Sequence, residues 1–202
     1  ARNNEFQAVL PVRGKILNTQ KAALDKILAN AEIRDMIKAF GLDLDVKTGK
    51  VIVNESKLRY GKIVITADGD VDGAHIRILF LTFIWKFAPE LIEKGYIYAA
   101  VPPLYKAIQG TKITYLKDDA ALEAFRKTTN RNFELGRMKG LGEMDPDEMA
   151  ETVMSKETRT LKRIQMEDAE AVAKTFLSLM GESVGPRKTF IEENAWRANI
   201  DV

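Results

Sequence analysis

Residues 62–101 constrain the fold more than any other stretch of this chain. They read K-I-V-I-T-A, then D-G-D-V-D-G, then A-H-I-R-I-L-F-L-T-F-I-W-K-F-A-P-E-L-I-E-K-G, then Y-I-Y-A-A-V. The outer runs are short, apolar and rich in β-branched or aromatic residues, as buried strands are. Between them, Ile76, Leu79, Phe80, Phe83, Ile84, Phe87 and Leu91 recur at helical spacing and mark one buried face. Pro102 and Pro103 stop the second strand, since proline cannot donate to a central ladder. Strand, loop, helix and strand make a βαβ unit, which implies a parallel sheet with helices on its faces. The fold class is therefore α/β.

The flanking segments extend this frame. F-Q-A-V-L-P-V reads as a short buried strand leading into the loop R-G-K-I-L-N. From Thr19 the spacing of Leu24, Ile27, Leu28, Ile33, Met36, Ile37 and Phe40 predicts a helix that stops at Gly41. L-D-L-D-V-K-T-G-K-V-I-V predicts a small hairpin turning at Thr48-Gly49. Beyond the prolines the pattern changes to a hairpin over Y-K-A-I-Q-G-T-K-I-T-Y-L and a short helix over D-D-A-A-L-E-A-F-R-K. A helix capped by Asp145 with Pro146 at its first position comes next, then helices over E-D-A-E-A-V-A-K-T-F-L-S-L-M-G and P-R-K-T-F-I-E-E-N-A. A boundary near residue 107 divides an α/β sheet layer, 1–107, from a smaller α+β tail, 108–202.

Composition excludes several classes. With no cysteine, the chain has no disulfide, iron–sulfur cluster or cysteine-bound zinc, which suits a reducing cytoplasm. I-L-F-L-T-F-I-W falls well short of the ~18 apolar residues a membrane span needs. The first ten residues show no signal-peptide pattern. The formal net charge is only +2, so any polyanionic partner must be met by local clusters such as P-V-R-G-K, R-K-T-T-N-R and S-K-E-T-R-T-L-K-R.

Asp68, Asp70 and Asp72 stand at every second position immediately after a strand. Like charges ~4 Å apart repel by about 1 kcal/mol even in bulk water, so the cluster is either solvated or held by a cation. A solvated acidic turn is the plain reading, but loops at the carboxyl ends of parallel strands are where open α/β folds place their sites. A helix–loop–helix calcium loop is ruled out: its twelfth position, which must be a bidentate glutamate, is Leu79 here. A phosphatase of the haloacid dehalogenase type accounts for Asp68 and Asp70 but offers no clear distal acidic pair. A Mg²⁺ site for phosphodiester chemistry accounts for all three, because Mg²⁺ prefers hard oxygen ligands and neutralises charge on an attacking or leaving oxygen. The start of the following helix adds a partial positive charge. Alternation along an extended loop would put the three carboxylates on one side.

Other motifs are less decisive. K-G-L-G-E-M, residues 139–144, is glycine-rich but fails as a dinucleotide fingerprint, and no P-loop occurs in the chain. His75 reads as a structural hydrogen-bonding residue and Tyr105 as a packing residue at a sheet edge. Arg13 and Lys15 flank Gly14, where cations and backbone can approach a phosphate together.

L-P-V-R-G-K-I-L-N-T-Q-K-A, D-G-D-V-D-G-A-H-I-R-I-L-F-L-T-F, P-P-L-Y-K, K-G-L-G-E-M-D-P-D-E-M-A-E-T-V-M, E-T-R-T-L-K-R-I, L-M-G-E-S-V-G-P-R-K-T-F-I-E-E-N-A and A-N-I-D-V follow in order. In these blocks the chain resembles the B subunits of bacterial type IIA DNA topoisomerases, the group formed by DNA gyrase and topoisomerase IV. The resemblance covers essentially the whole chain. It implies a Toprim domain, with a parallel sheet flanked by helices, followed by a tail that packs on it.

The resemblance further implies that Asp68 and Asp70 are the principal Mg²⁺ ligands, with Asp72 in support. It places Lys15, with Arg13 beside it, near cleaved DNA, and leaves Lys139 and Glu143 as family-typical positions without a role. It implies an E-G-D-S segment upstream of Ala1 whose glutamate completes the catalytic set, and an ATPase domain before that, so the chain is read as a fragment inactive alone. The expected partners are DNA and a topoisomerase A subunit, in an A2B2 heterotetramer in the cytoplasm with no membrane association. The A subunit's tyrosine forms the covalent link to DNA, and ATP hydrolysis drives strand passage. The competing functions are a stand-alone phosphatase and a non-catalytic scaffold.

Overall fold

The computed structural model describes residues 1–45, 47–138, 140–166 and 168–197. Lys139 and the A-N-I-D-V block lie outside the described residues.

Helices α1 (Leu24–Ala29) and α2 (Ala31–Phe40) occupy the stretch predicted as one helix. The break is at Asn30, whose backbone is extended and whose side chain accepts the Ile33 N–H at 2.9 Å, capping α2. Asparagine competes with the helix for backbone hydrogen bonds, which is why it is favoured at this position. Ile33, Met36, Ile37 and Phe40 form the buried face of α2, and Gly41 ends it in the left-handed region at φ 81°. A hairpin follows, β1 (Asp43–Asp45) against β2 (Lys50–Ile52).

Strand β3 (Ile63–Ile65) leads through the acidic loop into α3 (Val71–Phe87). Pro89 opens the short α4 (Glu90–Glu93), so the predicted long helix is two pieces. Strand β4 (Ile97–Ala100) pairs parallel with β3, Val64 opposite Tyr98, as the βαβ reading requires. The tail adds the hairpin β5 (Tyr105–Gln109) and β6 (Lys112–Leu116), turning at Gly110. It continues with α5 (Asp119–Thr128), β7 (Glu134–Arg137) and α6 (Pro146–Met149), which runs on as a π-type turn over Ala150–Met154. Last come β8 (Leu161–Arg163), α7 (Ala169–Met180) and α8 (Gly185–Asn194).

The chain divides into two compact units, each drawn from three segments of sequence. One unit holds Ala1–Pro11, Lys62–Arg77 and Ile97–Arg163. It contains two three-stranded sheets, β3-β4-β8 and β6-β5-β7. β8 adds antiparallel to β4, so the sheet behind the acidic loop is mixed, with one parallel pair. Ala107, Leu116 and Leu122 form a buried cluster with Phe125 and Phe133, whose rings meet edge to face at 5.2 Å. The predicted strand F-Q-A-V-L-P-V is irregular: residues 7–12 pair with no described strand, and Val9 is 62% exposed. Without a neighbour to take its N–H and C=O groups, an apolar run has no reason to be a strand.

The other unit holds Val12–Gly61, Ile78–Tyr96 and Ile164–Val202. Phe83, Ile84, Leu91, Ile27, Ile33 and Met36 are fully buried in it. Phe40 meets Phe80 edge to face at 5.9 Å, and Trp85 stacks on Phe176 at 4.8 Å. Lys86 donates to the Thr19 carbonyl at 2.6 Å, and burial lowers its pKa below the usual lysine value. None of the described helices is long and apolar enough to cross a membrane.

Candidate functional site

The acidic loop is built by three local devices. Strand β3 ends at Ile65, and the chain turns through Thr66–Gly69 into α3. Asp70 is the helix cap: its carbonyl accepts the Ala74 N–H at 3.0 Å and its Oδ1 accepts the Gly73 N–H at 2.7 Å. This satisfies donors that a helix start otherwise leaves unpaired. Gly73 is buried, and a Cβ there would lie 2.2 Å from the Asp68 carbonyl oxygen, so the closing glycine lets the first helical turn sit on the loop backbone.

Asp68 is half-buried and its Oδ1 accepts the main-chain N–H of Leu141 at 2.7 Å. The K-G-L-G-E-M loop thus reaches the acidic loop from 73 residues away in sequence. Its Leu141–Glu143 segment is a single 3-10 turn, with Glu143 exposed. Asp72 is exposed in the first turn of α3, so the alternation expected to align all three aspartates stops at Asp70, where the helix begins. Among the described residues no three Asp, Glu or His side chains group closely enough to form a metal site by themselves.

The donor chemistry of Asp68 and Asp70 nevertheless fits Mg²⁺, which typically takes one or two protein carboxylates and keeps several waters. Each commits Oδ1 to a main-chain N–H. Among the described residues neither Oδ2 is hydrogen-bonded, and the positive end of α3 lies beside them.

Arg13 and Lys15 belong to the other unit, both exposed on a tight turn. There Gly14 adopts φ 72° and its N–H bonds to the Val12 carbonyl at 3.2 Å. Buried Ile16 anchors the turn. His75 is exposed on α3, and among the described residues its side chain makes no hydrogen bond of the structural kind expected of it. Tyr105 sits on the central strand of its sheet rather than an edge, and its hydroxyl donates to Asp119 Oδ1 at 2.5 Å. That bond holds the phenol pKa above its usual value.

Two features escape sequence reading. Lys106 on β5 forms a partly buried ion pair with Glu148 on α6, and Glu148 Oε2 also accepts the Asp145 N–H at 3.4 Å. Gly140 packs against the Asp68 carboxylate. The only hint of either in the sequence is a glycine-rich loop ahead of a capped helix.

Comparison with known proteins gives this geometry a context. The Toprim domain model matches residues 1–102, and the model for the DNA gyrase B subunit carboxyl terminus matches residues 130–192. The chain is 46% identical over 202 residues to the DNA gyrase B subunit of Thermus thermophilus, a match covering 100% of the chain and 32% of that protein. It is 47% identical over 209 residues to the DNA gyrase B subunit of Clostridium acetobutylicum, covering 100% and 31%. With the DNA gyrase B subunit of Staphylococcus aureus it shares 48% over 206 residues, covering 99% and 31%. The chain spans about a third of the length of the curated relatives it matches.

Proposed function

The chain belongs to the Toprim family and, within it, to the B subunits of bacterial type IIA DNA topoisomerases, and on that premise we propose that it carries the metal-binding half of a DNA cleavage and religation site. The observation that carries this reading is the pair Asp68 and Asp70 at the carboxyl end of β3, each with one carboxylate oxygen tied to a main-chain N–H. The relatives named above favour the gyrase branch of the group.

Asp68 and Asp70 would hold Mg²⁺, with Asp72 supporting from the first turn of α3. Held by these carboxylates, Mg²⁺ would supply stabilisation of negative charge on an oxygen entering or leaving phosphorus. Asp70, locked as a helix cap, keeps its carboxylate in one orientation, and Asp68 is fixed by the Leu141 N–H. Such preorganisation removes the cost of arranging the ligands when substrate arrives. Arg13 and Lys15 neutralise backbone phosphates of the DNA, a contact that positions the duplex without reading its sequence.

The functional division follows the sequence: a Toprim domain over 1–107 and a tail over 108–202, in keeping with the two matched regions. The nucleophilic tyrosine belongs to an A subunit, ATP is hydrolysed in another part of the B subunit, and the assembly is an A2B2 heterotetramer of the cytoplasm. In the full-length protein assembled with its A partner, the double variant Asp68→Ala, Asp70→Ala abolishes Mg²⁺-dependent DNA cleavage and leaves ATP hydrolysis intact. Cleavage that persists in that variant overturns the reading.

A further inference from the structure

The K-G-L-G-E-M loop meets Asp68 in a way that backbone conformation does not require. Gly140 adopts φ −57° and ψ 154°, which any residue can adopt, so conformational freedom does not explain the glycine. Space does. A Cβ at residue 140 would lie 3.1 Å from Asp68 Oδ2, 3.2 Å from its Cγ and 3.4 Å from its Oδ1. Gly142, two residues on in the same loop, has nothing within 4 Å of the corresponding position.

The next residue supplies the grip. The Leu141 N–H donates to Asp68 Oδ1 at 2.7 Å, a short charge-assisted bond. Because the donor is main chain, its position is set by the 3-10 turn, which the Glu143 N–H closes onto the Gly140 carbonyl at 2.9 Å. Buried Gly73 brings the start of α3 against the Asp68 backbone. Asp68 is held at its main chain by one glycine and at its carboxylate by the other.

We infer that Gly140 and the Leu141 N–H are the positioning element of Asp68, fixing its carboxylate so that Oδ2 is presented to a divalent cation. The inference builds on the reading of Asp68 as a metal ligand. A ligating carboxylate is held in orientation by its outer hydrogen bonds, and losing such a partner typically weakens metal affinity by about 10–100-fold.

The test is direct Mn²⁺ binding, followed by electron paramagnetic resonance, in the full-length protein with its thermal unfolding recorded alongside. Gly140→Ala intrudes on the carboxylate without straining the backbone. Leu141→Pro removes the N–H and trades the half-buried leucine side chain for a proline ring while keeping the backbone course, since proline suits the first position of a helical turn and the extended Gly140 suits the residue before it. Both weaken Mn²⁺ binding by about 10–100-fold at unchanged Tm, Gly142→Ala binds as wild type, and Asp68→Ala loses the site. Should Asp68→Ala lose Mn²⁺ while Gly140→Ala and Leu141→Pro bind normally, the positioning role is wrong and the metal reading stands. Equal weakening by Gly142→Ala and Gly140→Ala also overturns the inference, by tracing the effect to the loop as a whole. Undiminished binding in Asp68→Ala overturns the metal reading, and this inference with it. If Leu141→Pro lowers Tm, Gly140→Ala decides.

Discussion

Asp70 Oδ1 accepts the main-chain N–H of Gly73 at 2.7 Å, so the carboxylate offered to a cation is also the cap of helix α3. The two duties use different oxygens and different chemistry. Capping needs only an acceptor, whereas holding Mg²⁺ needs negative charge.

These duties separate by substitution. Asp70→Asn keeps an acceptor for Gly73 and is expected to leave thermal stability nearly unchanged while weakening divalent-ion binding. Asp70→Ala loses both, with a stability cost of about 1 kcal/mol for the missing cap. Thermal unfolding and Mn²⁺ titration of the two variants side by side check this.

Gly73→Ala tests the closing glycine. Its Cβ would lie 2.2 Å from the Asp68 carbonyl oxygen and 2.8 Å from the Asp68 nitrogen, both backbone atoms that cannot swing aside. We expect a loss of about 1–3 kcal/mol, as for overpacked interiors, together with weakened metal binding because the Asp68 backbone must move. A variant as stable as wild type would show that the loop relaxes freely.

Arg13→Ala and Lys15→Ala test the proposed phosphate contacts. Each removes one cation from the turn at Gly14. In the full-length complex, each is expected to lower the slope of log affinity against log salt by about 0.9 on duplex DNA, and to weaken different DNA sequences alike. An unchanged slope removes that residue from the interface.

Glu148 joins β5 to α6 through Lys106, with side-chain exposures of 13% and 28%. Glu148→Ala leaves the Lys106 ammonium partly buried without its partner and removes the bond to the Asp145 N–H. The expected cost is about 1–3 kcal/mol, read by chemical denaturation. Glu148 holds the Lys106 pKa above the usual lysine value. The pair's contribution is therefore complete below that usual value and is lost only as pH rises through the raised one.

A second ion pair gives the opposite sign. Glu55 accepts from Lys94 at 2.5 Å and from the Tyr96 hydroxyl at 3.0 Å, and these bonds, Lys94 first, hold its pKa below 4.5. Its contribution is present above 4.5 and lost as pH falls through the lowered value. The Tm gap between wild type and Glu55→Gln should be small, as for exposed pairs, and should close on acidification. A gap that widens in acid contradicts the assignment.

Much of the secondary structure was legible because its signals are local. Asp145 precedes Pro146 at the start of α6, as their order in the sequence leads one to expect. Gly41 and Gly110 turn the chain at φ 81° and 62°, where other residues are strained. Pro102 and Pro103 lie beyond the end of β4. Each signal acts between neighbours and is complete within a few residues. Sequence reading missed what lacked such completeness. β7, E-L-G-R, and β8, L-K-R, carry little alternation and are strands because β5 and β4 lie beside them. Residues 8–12 are apolar but pair with no described strand.

The candidate site divides in the same way. That an acidic cluster follows a strand, that a helix begins near it and that a glycine closes it were all set by the order of residues. Which carboxylate caps the helix, and that Asp72 lies inside that helix, depended on where α3 starts. The contact of Gly140 and Leu141 with Asp68 spans 73 residues and was decided only when the tail folded against the β3 loop. Short-range hydrogen bonding and steric limits are fixed by adjacent side chains. Long-range contacts follow from the combined burial of many residues, which no single segment specifies.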